Sequence, residues 1–182
     1  MADAAPPAGA VFREANTADV ASLAALARRA FCETFTDPGV SLGLNYPPED
    51  LAAFLDSAYA PSAVSEWLAD KRALVFVCEF EGELVGYAHA GPCSLPQPGA
   101  TELDGELKRL YVLRAHQGKR IGPRLMRASL DFFSSGQRVF LGVWSGNLKA
   151  RAFYAKFGFR DVGAYKFAVG EALDDEVIMG RP

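Results

Sequence analysis

A chain of 182 residues, half of them apolar, with a net charge of −3 has room for one well-packed domain and suits a soluble globular protein. Its three cysteines, Cys32, Cys78 and Cys93, are odd in number and lack metal-ligand spacing, which argues against a disulfide framework or zinc site and for a reducing, cytoplasmic setting. No run of eighteen apolar residues occurs, and the opening MADAAPPAGA has neither a basic segment nor a long apolar core, so a membrane span and a secretion signal are both disfavoured.

Residues 1–10 are expected to be a flexible N-terminal tail and 11–182 a single domain. VFREA (11–15) reads as a short strand, and Thr17 or Asp19 can cap a helix running through Leu23, Leu26 and Ala30 to about Phe35. Residues 36–47, with Pro, Gly and Asn, read as a loop. Pro48 suits the first turn of a helix through Leu51, Phe54 and Leu55, and a second short helix covers about 62–69. ALVFVCEF, the turn EGE and LVGYAHA predict a hairpin whose register is set by Glu81-Gly82. After a proline-rich loop come a strand, GELKRLYVL, a turn containing Gly118 and Gly122, and a helix to Ser135. RVFLGVW predicts a strand, Asn147 to Phe157 a helix, and FRDVGAYKF and EVIM the last two strands. This is the order of an α+β protein.

The charge is unevenly spread. Lys108, Arg109, Arg114, Lys119, Arg120, Arg124 and Arg127 fall in one stretch without an acid, leaving 12 bases elsewhere against all 22 acids, a remainder of −10. One short basic segment is a poor profile for a nucleic-acid binder and a good one for holding a compact polyanion beside an acidic surface. Within it, Gln117-Gly118-Lys119-Arg120-Ile121-Gly122 lets successive N–H groups converge at a helix N-terminus, where a pyrophosphate could sit. Pro123 follows in place of Lys and Ser or Thr, so the turn is no P-loop, and the Rossmann G-x-G-x-x-G is absent. A solvated basic face and an ordinary turn are the plain alternatives.

In WSGNLKARAFYAKFGF, Asn147 can cap a helix that Gly158 ends. Asn147, Ala150 and Tyr154 share one stripe of it, while Phe153 and Phe157 face elsewhere. Either Asn147 only caps and Tyr154 only packs, or a buried phenol, of ordinary pKa about 10, gives a proton to a leaving group.

Gln117-x-x-Arg120-x-Gly122 and the Asn147…Tyr154 helix together resemble the GNAT superfamily of acetyl-coenzyme A-dependent N-acetyltransferases, over nearly the whole chain. FCETF, DLAAFLDSAY, LGVWSGNLKARAFYAKFGF and GAYKFAVGEALDDEVIM look most like the bacterial PaiA-type spermidine/spermine acetyltransferases. The resemblance implies a three-layer α/β fold with a mixed, mostly antiparallel sheet of about seven strands, splayed between the fourth and fifth and flanked by helices. It implies that Leu110, Tyr111 and Val112 pair with the pantetheine amides of acetyl-coenzyme A (acetyl-CoA). Gln117, Gly118, Lys119, Arg120, Ile121, Gly122 and Pro123 would hold its phosphates, and Asn147 and Tyr154 would meet it from the other wall. The Val112 N–H would donate to the thioester oxygen and Tyr154 would protonate the departing thiolate. Glu106, where some members carry a glutamate working through water, would be the general base. Arg120 departs from the pattern, standing where the motif's first glycine usually sits: at positive φ it would be strained, and otherwise it only adds a cation.

The implied activity is transfer of an acetyl group to a primary amine by direct attack on the thioester. A polyamine acceptor fits the −10 remainder and the acidic stretch EALDDE. No metal, nucleic acid or membrane partner is expected, and a homodimer is left open. His89 and His116 are weaker candidates for the proton path. Two other classes stay open: a non-catalytic acyl-CoA binder, which would not need Tyr154, and an interaction module of the same fold.

Overall fold

The expected alternation of strands and helices is present in the computed structural model, which describes residues 7–38 and 41–182. Residues 1–6 of the expected tail and Gly39-Val40 of the expected 36–47 loop lie outside the described residues. The elements are β1 (Ala10–Glu14), α1 (Val20–Phe35), α2 (Pro48–Ala58), α3 (Pro61–Ala69), β2 (Leu74–Phe80), β3 (Glu83–Pro92) and β4 (Gly105–Val112), followed by α4 (Ile121–Phe132), β5 (Val139–Trp144), α5 (Leu148–Ala155), β6 (Arg160–Val169) and β7 (Ala172–Arg181).

Local chemistry accounts for most boundaries. Asn16, not Thr17 or Asp19, makes the first cap: its side chain accepts from the Ala18 N–H at 2.9 Å while Asp19 accepts from the Asn16 N–H at 2.8 Å. Glu81 and Gly82, at φ 53° and 83°, supply the left-handed pair that a two-residue hairpin turn requires. The helix expected to reach Ser135 stops at Phe132, where the Gln137 side chain accepts from the Ser134 N–H at 3.0 Å and turns the chain. The last strand is longer than EVIM because β6 and β7 pair as a hairpin along their whole length, from Val169–Ala172 to Arg160–Gly180.

The seven strands form one sheet in the order β1-β2-β3-β4-β5-β7-β6. Only β4 and β5 run parallel. On one face α1 buries Leu23, Leu26, Ala27 and Ala30 with Val75, Val77 and Tyr87 of the sheet. On the other, α4 buries Ile121, Leu125 and Met126 with Val85, Ala88, Leu107 and Leu141. Each fully buried Leu, Ile, Val or Met among these contributes about 2 kcal/mol.

The feature that positions the site is the short contact between β4 and β5. They pair only at Gly105–Val139 and Glu106–Phe140 and then part. The closed end is pinned: the Gly105 N–H donates to the Arg138 carbonyl at 2.8 Å, and Arg138 grips the buried Asp104 through both oxygens at 2.8 and 2.7 Å. In β4 a register shift leaves Lys108 without an opposite number on β3, a bulge of the kind that re-aims side chains next to functional sites.

Candidate active site

The turn between β4 and α4 is an open nest of donors. Among the described residues, the N–H groups of Gly118, Lys119, Arg120, Ile121 and Gly122 meet no backbone acceptor. Gly118 at φ 78° and Arg120 at φ 62° fold them toward one side, where the α4 dipole also favours negative charge. Arg120 is therefore in the left-handed region, with a strain of about 1–2 kcal/mol. Gly122 has ordinary φ, and a Cβ there would meet nothing nearer than Phe153 at 3.8 Å. The Gln117 side chain does not point freely at this nest. Its Nε2 donates to the Val112 carbonyl at 3.1 Å and its Oε1 accepts from Lys149 Nζ at 2.8 Å, so it ties the end of β4 to α5 across the splay.

Strand register decides which backbone groups of β4 are available. The Leu113 N–H donates to the Val85 carbonyl at 2.9 Å, so by antiparallel alternation Tyr111 bonds β3 as well, while Leu110 turns its N–H and C=O, and Val112 its N–H, toward the gap; the Val112 C=O is taken by Gln117. This corrects the expectation for Tyr111: its backbone is engaged, and its side chain lines a cavity instead. On the other wall, Asn147 caps α5, accepting from the Ala150 N–H at 3.1 Å. Tyr154 is buried between the Phe153 and Phe159 rings. Burial, and then the charge of Glu176, raises its phenol above the ordinary value.

Behind the gap, on the α1 face, lies a cavity of about 230 Å³. It is lined by Phe31 and Phe54 of the helices, Tyr46 of the loop, Glu106, Lys108 and Arg109 of β4, Gly142 of β5, Tyr165 of β6, and Asp174 and Glu176 of β7. Glu106 is buried; its Oε2 accepts from the Ser94 N–H at 2.7 Å, the Ser94 hydroxyl at 2.9 Å and Lys108 Nζ at 3.0 Å. Tyr46 donates to Asp174, and Tyr165 donates to Glu176 Oε2 at 2.9 Å. Burial pushes Glu176 up to about 7, the Tyr165 hydrogen bond pulls it down, and Asp174 adds to the rise. Arg109 lies 4.3 Å over the Trp67 ring and contacts His89 Nδ1 at 3.3 Å. Burial and the neighbouring Arg109 push His89 down to about 3, so it stays neutral at physiological pH. His116 packs against Phe80.

The basic segment that is continuous in sequence divides in space. Lys108 and Arg109 line the cavity. Arg114 reaches back to α1, its N–H donating to Glu33 Oε2 and its guanidinium to the Glu33 carbonyl, both at 2.8 Å. Lys119 and Arg124 lie over the Phe80 and Phe12 rings. The sequence reading missed Lys149, Asp174, Glu176 and Tyr165 as individual site residues. Lys149 could have been found as a cation in the first turn of the helix that Asn147 caps; the others needed the strand order.

A sheet splayed between one parallel pair, with an anion nest at the helix after β4, defines an acetyl-CoA-type transferase fold. The sequence matches the acetyltransferase (GNAT) family over residues 30–159, and the chain belongs to that family. It is 31% identical to an uncharacterized N-acetyltransferase of Mycobacterium tuberculosis over 165 residues, covering 90% of this chain and 97% of the relative. It is 28% identical to the spermine/spermidine N(1)-acetyltransferase of Bacillus subtilis over 93 residues, covering 48% of this chain and 60% of that one. Its fold matches the PaiA N-acetyltransferase of Thermoplasma acidophilum, solved with coenzyme A, with a TM-score of 0.69 and 18% identity over 94% of this chain and 98% of the other. The protein is an acetyltransferase, and acetyl-CoA is the acetyl donor of its family.

Proposed function

We propose that residues 11–182 act as a single domain that moves the acetyl group of acetyl-CoA onto a small primary amine seated in the 230 Å³ cavity. The observation that carries this reading is the gap itself. Its α4 side offers free backbone donors, and its α1 side opens on a polar cavity, so donor and acceptor can meet from opposite faces of the sheet. The N–H groups of residues 118–122 would take the pyrophosphate, with Lys119, Arg120 and Lys149 as nearby cations. Ile121 and Pro123 set the start of α4. The Leu110 and Val112 edge would bind the pantetheine amides, and the Val112 N–H the thioester oxygen. Asn147, its Oδ1 filled by the cap, offers Nδ2. Tyr154 would give its proton to sulfur, a role a plain binder has no use for.

A polyamine is the acceptor class that the carboxylates of Glu106, Asp174 and Glu176 support, as does the similarity to the spermine/spermidine acetyltransferase of Bacillus subtilis. A second reading, an amine that also carries an anionic group, is favoured by Arg109, which has no carboxylate partner among the described residues. The three free cysteines support a reducing, cytoplasmic setting. The test is thiol release from acetyl-CoA over a panel of spermidine, diamines, neutral monoamines and amino acids. Turnover of at least one primary amine is expected, with spermidine above neutral amines of equal length. Higher kcat/KM for the acid-bearing amines selects the second reading, and no turnover despite tight coenzyme A binding overturns both.

A further inference from the structure

We infer that Glu176 is the general base that takes the proton from the acceptor's ammonium, while Glu106 holds the pocket wall. This rests on the acetyl transfer proposed above. A primary alkylammonium has a pKa of about 10, so a group beside the reacting nitrogen must accept a proton before attack.

The two glutamates of the cavity differ in what surrounds them. Glu106 Oε2 already receives three donors, one of them the Lys108 ammonium, and that network fixes Ser94 and Lys108 along β4. Glu176 receives one, from Tyr165, on Oε2; among the described residues its other oxygen has no protein donor. It is also placed where the strands part. β7 sits beside β5, with Glu176 opposite Trp144, and its carboxyl overhangs Gly142. A Cβ on Gly142 would lie 2.5 Å from the Tyr165 hydroxyl and 2.7 Å from Glu176 Oε2. Glycine at this point in β5 is thus what gives the Tyr165–Glu176 pair its room at the cavity wall.

Other charged and titratable groups facing Glu176 are Tyr165 on β6, Asp174 on β7, Tyr46 on the loop, Tyr59 after α2, Glu106, Lys108, Arg109 and Tyr111 on β4, and Tyr154 on the opposite face of the sheet. Burial first, and Asp174 after it, carry the carboxyl up to about 7, the range in which a base can both accept and release a proton at neutral pH. Tyr154 feels Glu176 in turn: the carboxylate's charge is the second cause of its raised phenol. Arrival of a proton at Glu176 removes that charge and makes Tyr154 a better acid as sulfur departs. In the full step the ammonium proton goes to the Glu176 carboxylate and the freed nitrogen lone pair forms the N–C bond. The C–S bond breaks, its electron pair stays on sulfur, and sulfur takes the Tyr154 proton. The amide nitrogen loses its second proton, which returns through water to the phenolate, and Glu176 releases the ammonium proton to solvent.

The experiment compares the parent, Glu176→Gln and Glu106→Gln by kcat/KM against pH with the best amine of the panel, and by Tm against pH without substrate. The parent should show an acidic limb near pH 7. Glu176→Gln should lose about 10²–10⁴-fold in kcat/KM and lose that limb, its residual rate rising steadily with pH as free amine accumulates. Glu106→Gln should keep the limb. A group whose folded pKa is raised stabilises the fold below its unfolded value and loses that contribution as pH rises through the folded one. Tm of Glu176→Gln relative to the parent should therefore climb between about pH 5 and 8. A folded Glu176→Gln that keeps both rate and limb overturns the assignment, as does loss of the limb in Glu106→Gln alone or a flat Tm difference. A parent that acetylates no amine instead sinks the proposed function, and the base with it.

Discussion

The two sides of this site, proposed for acetyl donor and acceptor, are assembled in opposite ways. The donor side is a short run of chain: the end of β4, the turn at 117–122 and the start of α4, with only Asn147, Lys149 and Tyr154 arriving from elsewhere. The cavity proposed for the acceptor draws one to four residues each from α1, α2, the loop at Tyr46, the loop after β3 and four strands, from Phe31 to Glu176. A contiguous site carries its own spacing, so composition and pattern reveal it. A dispersed one exists only once strand order and register bring its parts together, and it is correspondingly sensitive to small steric changes.

That contrast sets the largest expected effect. Gly142→Ala puts a methyl where the Tyr165 hydroxyl and Glu176 now lie, at 2.5 and 2.7 Å, so those two groups must move. Displacements of about 1 Å at a reacting centre cost on the order of 10²-fold, and kcat/KM for the amine should fall by that much. Coenzyme A affinity, which the proposed function assigns to the turn on the other face, should not change. An equal loss on both sides would erase the distinction between them.

Next is Tyr154→Phe, which removes one oxygen from a buried ring. The chemical step should slow by about 10²-fold, the low end for general acids because a thiolate leaves fairly well unaided. Single-turnover rates separate this from product release; equal rates in parent and variant would leave Tyr154 a packing residue.

The closed end of the splay supports both sides, and breaking it should affect the whole fold. Asp104→Asn weakens a two-oxygen grip by Arg138 and the hydrogen bonds that Asp104 accepts from the Thr101 N–H and hydroxyl, at a cost of about 2 kcal/mol in denaturant unfolding. The Arg138 guanidinium holds the Asp104 carboxyl below its ordinary value. The contribution is thus complete above the ordinary carboxylate range and is lost as pH falls through the lowered folded value. The Asn variant should accordingly lie closest to the parent in the most acidic buffers.

The smallest effect sharpens the donor side alone. Arg120→Gly relieves a left-handed backbone at φ 62°, raising stability by about 1 kcal/mol, while coenzyme A binding weakens by a few-fold with the loss of one cation. A lower Tm would mean that Arg120 makes contacts worth more than its strain.

How much was legible follows from the same physics. The element order and the turn could be read because glycines, caps and apolar periodicity act over a few residues, whereas the splay of the sheet came only from the family resemblance. The sharing-out of the basic segment could not: Arg109 was brought to the cavity face beside Lys108 by a bulge that no local pattern marks. Glu176 was visible only as part of an acidic stretch. Its significance comes from β7 crossing back to lie between β5 and β6, which sets a carboxyl against Gly142 from 34 residues away. The positive φ of Arg120 was open in the sequence and is decided by the turn.

The most direct measurement is calorimetric titration of coenzyme A into the parent, Gly122→Ala, Gly122→Asp and Glu176→Gln, all checked for folding. Space at Gly122 admits a methyl, so the Ala variant should bind like the parent. The Asp variant, with a carboxylate at the nest, should bind at least several-fold more weakly, and added salt should weaken the parent as well. Glu176→Gln, changed only on the acceptor side, should bind normally. A folded Gly122→Asp with the parent's affinity, or a Glu176→Gln that fails to bind, would contradict the division of the site between the two faces of the sheet.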